Sequence, residues 1–518
     1  MIARVRSAAA IATAAFLLSA CSGGTNTTNV VPPNATLLGG PTLPASGNTF
    51  AGIGDSLTAG VQSGGLLGVN LPGPLGVNAQ VGTIAPAGVQ ATQEHGFFAL
   101  LWSQANGTSL ASLSNPATSP LPLIGPSGLG GLLAPTTSGF PAQIGTPCAG
   151  TQAAANQFGT ALQLRLSPGT VPYDVAIPGQ TAHEALFMTG AIGDCTIAPG
   201  NTPAAIVGLN ALVNGESQNF WPILAGFGSG VTQVNAAASL HARYATVWLG
   251  SNDLLKIAFS GGAAPVTSPQ SMHDDIKAIV QKMQASGSKV AVANLVEVMG
   301  AAVFIPQPAY QPTLQAYITA VLVQKGVPAA TAAAIATQYS TAYATQETTQ
   351  TGLGSNGYFT INALFATLAA ASAQLGTTPP SAPVAPTLGA GTFVSDAVAT
   401  EVKQLNTAYN AAIATAASET GAALVDEHAV FVAIQTAGGV PVNPPKCCSL
   451  VYRGGFFSLD GVHPSNTGYA LIANTFIDAI NAAYGAGIPD VNVASVYATD
   501  PYAPGNGVSG FDVLRSTR

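Results

Sequence analysis

Two short segments at opposite ends of the chain hold the residue types of a nucleophile and its base. Gly54-Asp55-Ser56-Leu57 offers a serine, and Asp460-Gly461-Val462-His463-Pro464 offers an aspartate three residues before a histidine. An alcohol attacks poorly at neutral pH unless a base within hydrogen-bond reach takes its proton, and that base needs an orienting carboxylate. The Asp460 carboxylate can hold one nitrogen of His463 while the other faces Ser56, and Pro464 restricts the backbone beyond. The plainer alternative is that Asp460 caps a helix over residues 466–484 and that His463 is a surface residue.

Ser56 follows the strand-like run Thr49 to Ile53, which puts it where a parallel strand gives way to a helix or loop. Open α/β sheets gather their chemistry at such points. Two more apolar runs end in the same manner, Val175 to Pro178 at Gly179 and Thr246 to Leu249 at Gly250-Ser251-Asn252-Asp253. Acyl transfer builds negative charge on the former carbonyl oxygen, and each fixed donor aimed there lowers the barrier by about 3 to 4 kcal/mol. The backbone N–H groups of Ser56 and Gly179 and the Asn252 amide are the candidate oxyanion-hole donors. Equally, Gly179 could be a turn glycine, and Asn252-Asp253 a cap for a helix from Leu254.

The order of these four blocks resembles the SGNH hydrolases, also called the GDSL esterase/lipase family. Ser56, Gly179, Asn252 and His463 fall on the family's four named residues, and Asp460 falls on its aspartate. The resemblance spans about Thr49 to Tyr484. It implies a flavodoxin-like three-layer α/β/α sandwich, no cofactor, and hydrolysis of carboxylic esters or thioesters. The interval between Ser56 and Gly179 is much longer than in a compact member, which bears on pocket shape rather than on the chemistry.

Other hydrolase signatures fit less well. A Gly-x-Ser-x-Gly elbow needs a glycine where Thr58 stands. The six histidines are scattered, and His183-Glu184 lacks the second histidine of His-Glu-x-x-His, so no metal site is expected.

The first residues read as an export signal: Arg4 and Arg6, an apolar run from Ala8 to Ala20, then Cys21 directly after Leu18-Ser19-Ala20. The run is too short for a permanent membrane span. The cysteine resembles a bacterial lipobox, which implies acylation of Cys21 and a lipid-anchored protein of the cell envelope, in the outer membrane given Ser22 beside it. Ordinary cleavage and a secreted or periplasmic protein is the alternative. Residues 22–48, rich in Ser, Gly, Thr, Asn and Pro, read as a flexible tether.

Charged residues make up 7% of the chain, against roughly 25% in an ordinary domain, and the net charge is -7. With no basic cluster, nucleic acid and anionic headgroups are poor partners. An ester substrate and the membrane reached through the anchor are the expected ones. Beyond Cys21 an even set of cysteines remains, as exported chains often have. Cys148 with Cys195 is the preferred disulfide, Cys447-Cys448 can form a vicinal bridge or stay as thiols, and pairings such as Cys148 with Cys447 stay open.

Five apolar runs, Thr49 to Gly54, Val175 to Pro178, Ala245 to Leu249, Lys289 to Leu295 and Ala422 to Asp426, predict a five-stranded parallel sheet. Helical patterns lie between and after them, at Ser271 to Ser286, Ser395 to Thr420 and Asn466 to Ala483, as a doubly wound sheet requires. One catalytic domain over residues 49–485 is expected, with insertions at about 61–172 and 301–391. The first insertion reads as loop with a short helix over Glu94 to Gln104. The second carries helical candidates at Pro328 to Gln346 and Asn362 to Leu375 that could form a cap. Residues 486–518 read as an extended tail. The expectation is a serine esterase or lipase acting through Ser56, with a carbohydrate O-acetylesterase or a non-catalytic surface-binding lipoprotein as alternatives.

Overall fold

The computed structural model describes residues 47–63, 66, 68, 71–72, 88–124, 166, 170–188, 223–224, 227, 231–376, 381–389, 391–440, 442, 447–504 and 506. Cys21 with the leader, the tether up to residue 46, Cys148, Cys195 and most of the first insertion lie outside them.

The strands in chain order are β1 (Phe50–Gly54), β2 (Leu71–Pro72), β3 (Gly88–Val89), β4 (Tyr244–Trp248), β5 (Lys289–Ala293), β6 (Phe304–Pro306), β7 (Tyr358–Thr360), β8 (Phe393–Val394) and β9 (Ala423–Val425). The main sheet is parallel, in the order β1-β4-β5-β9, with Phe50 opposite Tyr244, Tyr244 opposite Lys289 and Ala291 opposite Ala423. Every residue of β1 and β4 is buried. Burial on both faces selects near-continuous apolar runs, and FAGIG and YATVW are such runs.

Alternate residues of β4 share a face. On that face Tyr244 stacks on Phe50 at 5.0 Å, and Trp248 meets Phe97 at 5.6 Å and Phe476 at 6.1 Å. Phe97 and Phe476 belong to the helices Phe97–Asn106 and Asn466–Tyr484 and stack on each other at 4.6 Å. The helices Pro269–Ala285 and Asp396–Thr420 pack together and onto β5.

Among the described residues the sheet has four strands, not five. The run expected as a strand at Val175 to Pro178 does lie along the free edge of β1, through Val175 N to Gly52 O at 3.0 Å and Ile177 N to Gly54 O at 3.1 Å. Its one parallel bridge pairs Asp174 with Gly52. Gln233 Nε2 donates to Val175 O at 3.0 Å and to Gly54 O at 2.7 Å, so a side chain occupies the carbonyl from which the ladder to β1 would continue.

The second insertion combines the helices Gln307–Gln324, Ala329–Thr351 and Ile361–Leu375 with a small antiparallel sheet, β6-β7-β8. Tyr310 stacks on Phe359 at 4.0 Å and fixes helix to sheet. The expected short helix of the first insertion is a 3-10 turn, Gln93–His95, followed by the helix Phe97–Asn106. The chain beyond residue 485 is not extended throughout its described part. It forms the helix Val493–Thr499, after which Asp500 accepts hydrogen bonds from Thr467 N at 2.8 Å and Thr467 Oγ1 at 2.6 Å. Cys447 and Cys448 form a vicinal disulfide.

Candidate active site

Ser56 opens a four-residue helix, Ser56–Ala59, directly after β1. Asp55 caps it, with Oδ1 accepting from Leu57 N at 2.9 Å, and Gly60 closes it at φ 83°. Gly54 has no room for a side chain, since a Cβ there would sit 2.0 Å from Thr58 Oγ1. The motif thus turns the chain sharply enough to place Ser56 at the strand's carboxyl end, 8% exposed.

His463 lies in the tight turn before the helix Asn466–Tyr484. Its Nδ1 is 2.7 Å from Asp460 Oδ2, while Asp460 Oδ1 accepts from the backbone N–H groups of Val462 and His463, both at 2.8 Å. Burial by itself would raise the Asp460 pKa. The facing His463 and the two N–H donors outweigh it and hold this carboxyl below its ordinary range. Asp460 is not the cap of the following helix; Ser465 is, accepting from Gly468 N. Gly461 is needed at φ 69°, because a Cβ would come 2.7 Å from Val303 N.

A lacework of hydrogen bonds pins this turn to the segment just after Ser56. Ser63 N donates to Ser458 Oγ at 2.8 Å, Leu459 N to Ser63 Oγ at 3.1 Å, Gln62 Nε2 to Asn466 Oδ1 at 2.8 Å and Tyr469 OH to Val61 O at 2.8 Å. Val462 and Pro464, which flank the histidine, line the same pocket as Ser56 and Asn252. Among the described residues no hydrogen bond joins Ser56 Oγ to the ring. Such bonds are often long before substrate binds and tighten in the reactive complex.

Gly179, at φ 81°, sits in the turn that ends the segment running beside β1, and the helix Ala182–Phe187 starts three residues later. Asn252 is in the first turn of the helix Ser251–Phe259, whose N-cap is Gly250 with no side-chain bond. Neither Asn252 nor Asp253 caps that helix. Asn252 Nδ2 instead donates to Asp55 Oδ2 at 2.9 Å and to Gln180 O at 3.1 Å. Both of its hydrogens are therefore engaged, and service to a developing oxyanion requires one of them to change partner.

Burial raises the Asp55 pKa to about 7, against the lowering pull of the Leu57 N–H and of His463. Apart from the Ser251 hydroxyl, the rest of the pocket is apolar, with Leu255, Val296, Phe431, Phe456 and Ile472 on its walls. Among the described residues no group of three or more His, Cys, Asp or Glu side chains is arranged to hold a metal ion.

In the sequence Asp55 stands out only as a letter of its tetrad, and Gln62, Ser63 and Ser458 do not stand out at all. The preference of aspartate for helix N-caps pointed to Asp55. Nothing local marks the other three, which meet partners about 400 residues away. No family model, no curated protein and no solved structure matches this chain.

Proposed function

We propose that the protein is a serine hydrolase of carboxylic esters, an esterase or lipase of the SGNH type on a flavodoxin-like sandwich. Its working groups are Ser56, His463 and Asp460. The observation that carries this reading is the 2.7 Å bond from Asp460 to His463 Nδ1, in a turn whose flanking residues share a pocket with Ser56. That bond leaves Nε2 as the free nitrogen, the one a serine hydroxyl must meet.

In the reaction, His463 Nε2 removes the Ser56 proton as Oγ bonds to the ester carbonyl carbon. The carbonyl oxygen takes the negative charge, received by the N–H groups of Ser56 and Gly179 and by Asn252 once its amide turns. Collapse of this intermediate breaks the bond to the alkoxy oxygen, which leaves as the alcohol with the proton from His463. Water then repeats the sequence on the acyl-enzyme and releases the acid. The apolar walls favour an apolar acyl or alkyl group over a sugar, whose hydroxyls would lack partners there. Export and a lipid anchor at Cys21 belong to the same proposal.

The test is hydrolysis of short p-nitrophenyl esters by protein lacking residues 1–21, with labelling by a fluorophosphonate probe. Ser56→Ala should abolish both, and a variant as active as its parent would overturn the assignment.

A further inference from the structure

We infer that Lys256 and Glu184 are positioning residues, a buried ion pair that sets the Gly179 turn in register with Asn252. This rests on the serine-hydrolase reading.

The pair joins the two elements that carry the candidate donors. Lys256 stands four residues after Asn252 on the helix Ser251–Phe259, hence on the same side of it. Its Nζ lies 3.2 Å from Glu184 Oε1, with the two side chains 11% and 6% exposed. The other oxygen, Glu184 Oε2, accepts from Thr181 N at 2.9 Å, while Thr181 Oγ1 accepts from Glu184 N at 3.2 Å. This reciprocal capping box ties the carboxylate to backbone two residues beyond Gly179.

Neighbouring contacts run the same way. Asp253 Oδ2 accepts from Ala182 N at 3.4 Å, and Asp253 Oδ1 is held by Thr267 Oγ1 at 2.6 Å. Asn252 Nδ2 reaches Gln180 O. Residues 180, 182 and 184 are thus each gripped by one residue of a single helix.

Stability does not account for the ion pair. Removing two charges from water costs about as much as their attraction returns, and apolar replacements of such pairs are often neutral or stabilising. Direction is what the pair adds: it fixes how far the Gly179 turn can slide along the helix that presents Asn252. A misplacement of about 1 Å in a catalytic group can lower the rate about a hundredfold.

The experiment compares the parent with the double variant Lys256→Met/Glu184→Gln, which removes both charges of the pair and keeps an acceptor for Thr181 N. We expect kcat for p-nitrophenyl acetate to fall at least about tenfold, with KM within about threefold and the melting temperature near the parental one. Affinity for phenylboronic acid, which forms a tetrahedral adduct on the serine, should fall by a similar factor. Lys256→Arg should restore most of the rate. Glu184→Asp, which retains both charges but draws them apart, should lose kcat several-fold and serves if the double variant does not fold. Parental kcat in either variant, or a loss that tracks KM and melting temperature together, overturns the inference. A parent inert to both ester and fluorophosphonate would remove the hydrolase reading with it, whereas an active parent with an equally active variant removes this inference alone.

Discussion

Asp55 and Asn252 are joined by a 2.9 Å hydrogen bond across 197 residues of chain, so the cap of the Ser56 helix also orients the candidate oxyanion donor. One carboxylate serves two elements, Oδ1 to Leu57 N and Oδ2 to the Asn252 amide. The strand-end position of Ser56 and the aim of Asn252 are therefore a single structural variable. Gln180 O, the amide's other partner, extends that unit to the residue after Gly179.

Asp55→Asn tests the coupling. Asparagine caps helices as well as aspartate does, so Leu57 N keeps its acceptor. The new amide, however, turns a donor toward the Asn252 donor. We expect kcat to fall at least about tenfold. Because the two residues touch, the Asp55→Asn/Asn252→Ala double variant should lose about as much as the worse single one. Initial rates on p-nitrophenyl acetate check both points.

Asp460→Asn should leave the turn largely intact, because Oδ1 can still accept from Val462 N and His463 N. The amide nitrogen cannot accept a hydrogen bond from Nδ1–H, so the ring takes the wrong tautomer and Nε2 cannot serve as the proposed base. A loss of about 10³ to 10⁴ in kcat is expected, by analogy with triad aspartates elsewhere. Since the Asp460 pKa lies below the ordinary range, its contribution to stability is complete above that range and is lost only as the pH falls below it. Rates at pH 7 and 8 therefore compare fully ionised parent with variant.

Much of the candidate site is legible because its residues stand at strand ends. Ser56 follows β1 and Asn252 follows β4, and period and composition alone locate both strands. The apolar run Val175 to Pro178 predicts a fifth strand, and nothing in it marks that Gln233, 58 residues on, will donate to Val175 O. The helix Gln307–Gln324 carries a buried stripe of Tyr310, Leu314, Ile318 and Leu322, but Pro308 and Pro312 mask it as a local helical pattern. Pro308 falls in the first turn, where no N–H is missed. The three strands of the small sheet have two or three residues each, too few to show an alternation. The bonds from residues 62 and 63 to the histidine turn depend on tertiary closure, which no local pattern encodes.

In the second insertion Glu347 is wholly buried. Its Oε1 accepts from Thr367 Oγ1, which also meets Tyr310 OH at 3.0 Å, and its Oε2 has no partner. Burial raises its pKa to about 7, against the lowering effect of the Thr367 and Tyr310 hydroxyls. From the ordinary carboxylate range up to about pH 7, the folded protein holds one proton more here than the unfolded chain. Stability from this group therefore declines as pH rises through that window and levels off above it. Glu347→Gln removes the decline, so its advantage over the parent should be small at pH 5 and reach the order of 3 kcal/mol at pH 8. Urea unfolding at the two pH values measures it, and an advantage that does not grow with pH contradicts the argument.

Phe431 offers a handle on acyl length that leaves the histidine turn alone. It projects from the helix Glu427–Ala437 into the Ser56 pocket, edge-on to Phe456 at 5.1 Å and to Phe457 at 5.8 Å. Phe457 is the less useful target, because its backbone bridges to Pro464 beside His463. Phe431→Ala deletes a buried ring and should cost about 3 to 5 kcal/mol of stability. The space it vacates is apolar, and each additional methylene placed there gains about 1 kcal/mol of transition-state binding. The ratio of kcat/KM for p-nitrophenyl hexanoate to that for the acetate should rise at least about tenfold, chiefly through the longer ester. An unchanged ratio in folded variant would mean that the acyl chain lies elsewhere and that this wall faces the leaving alcohol.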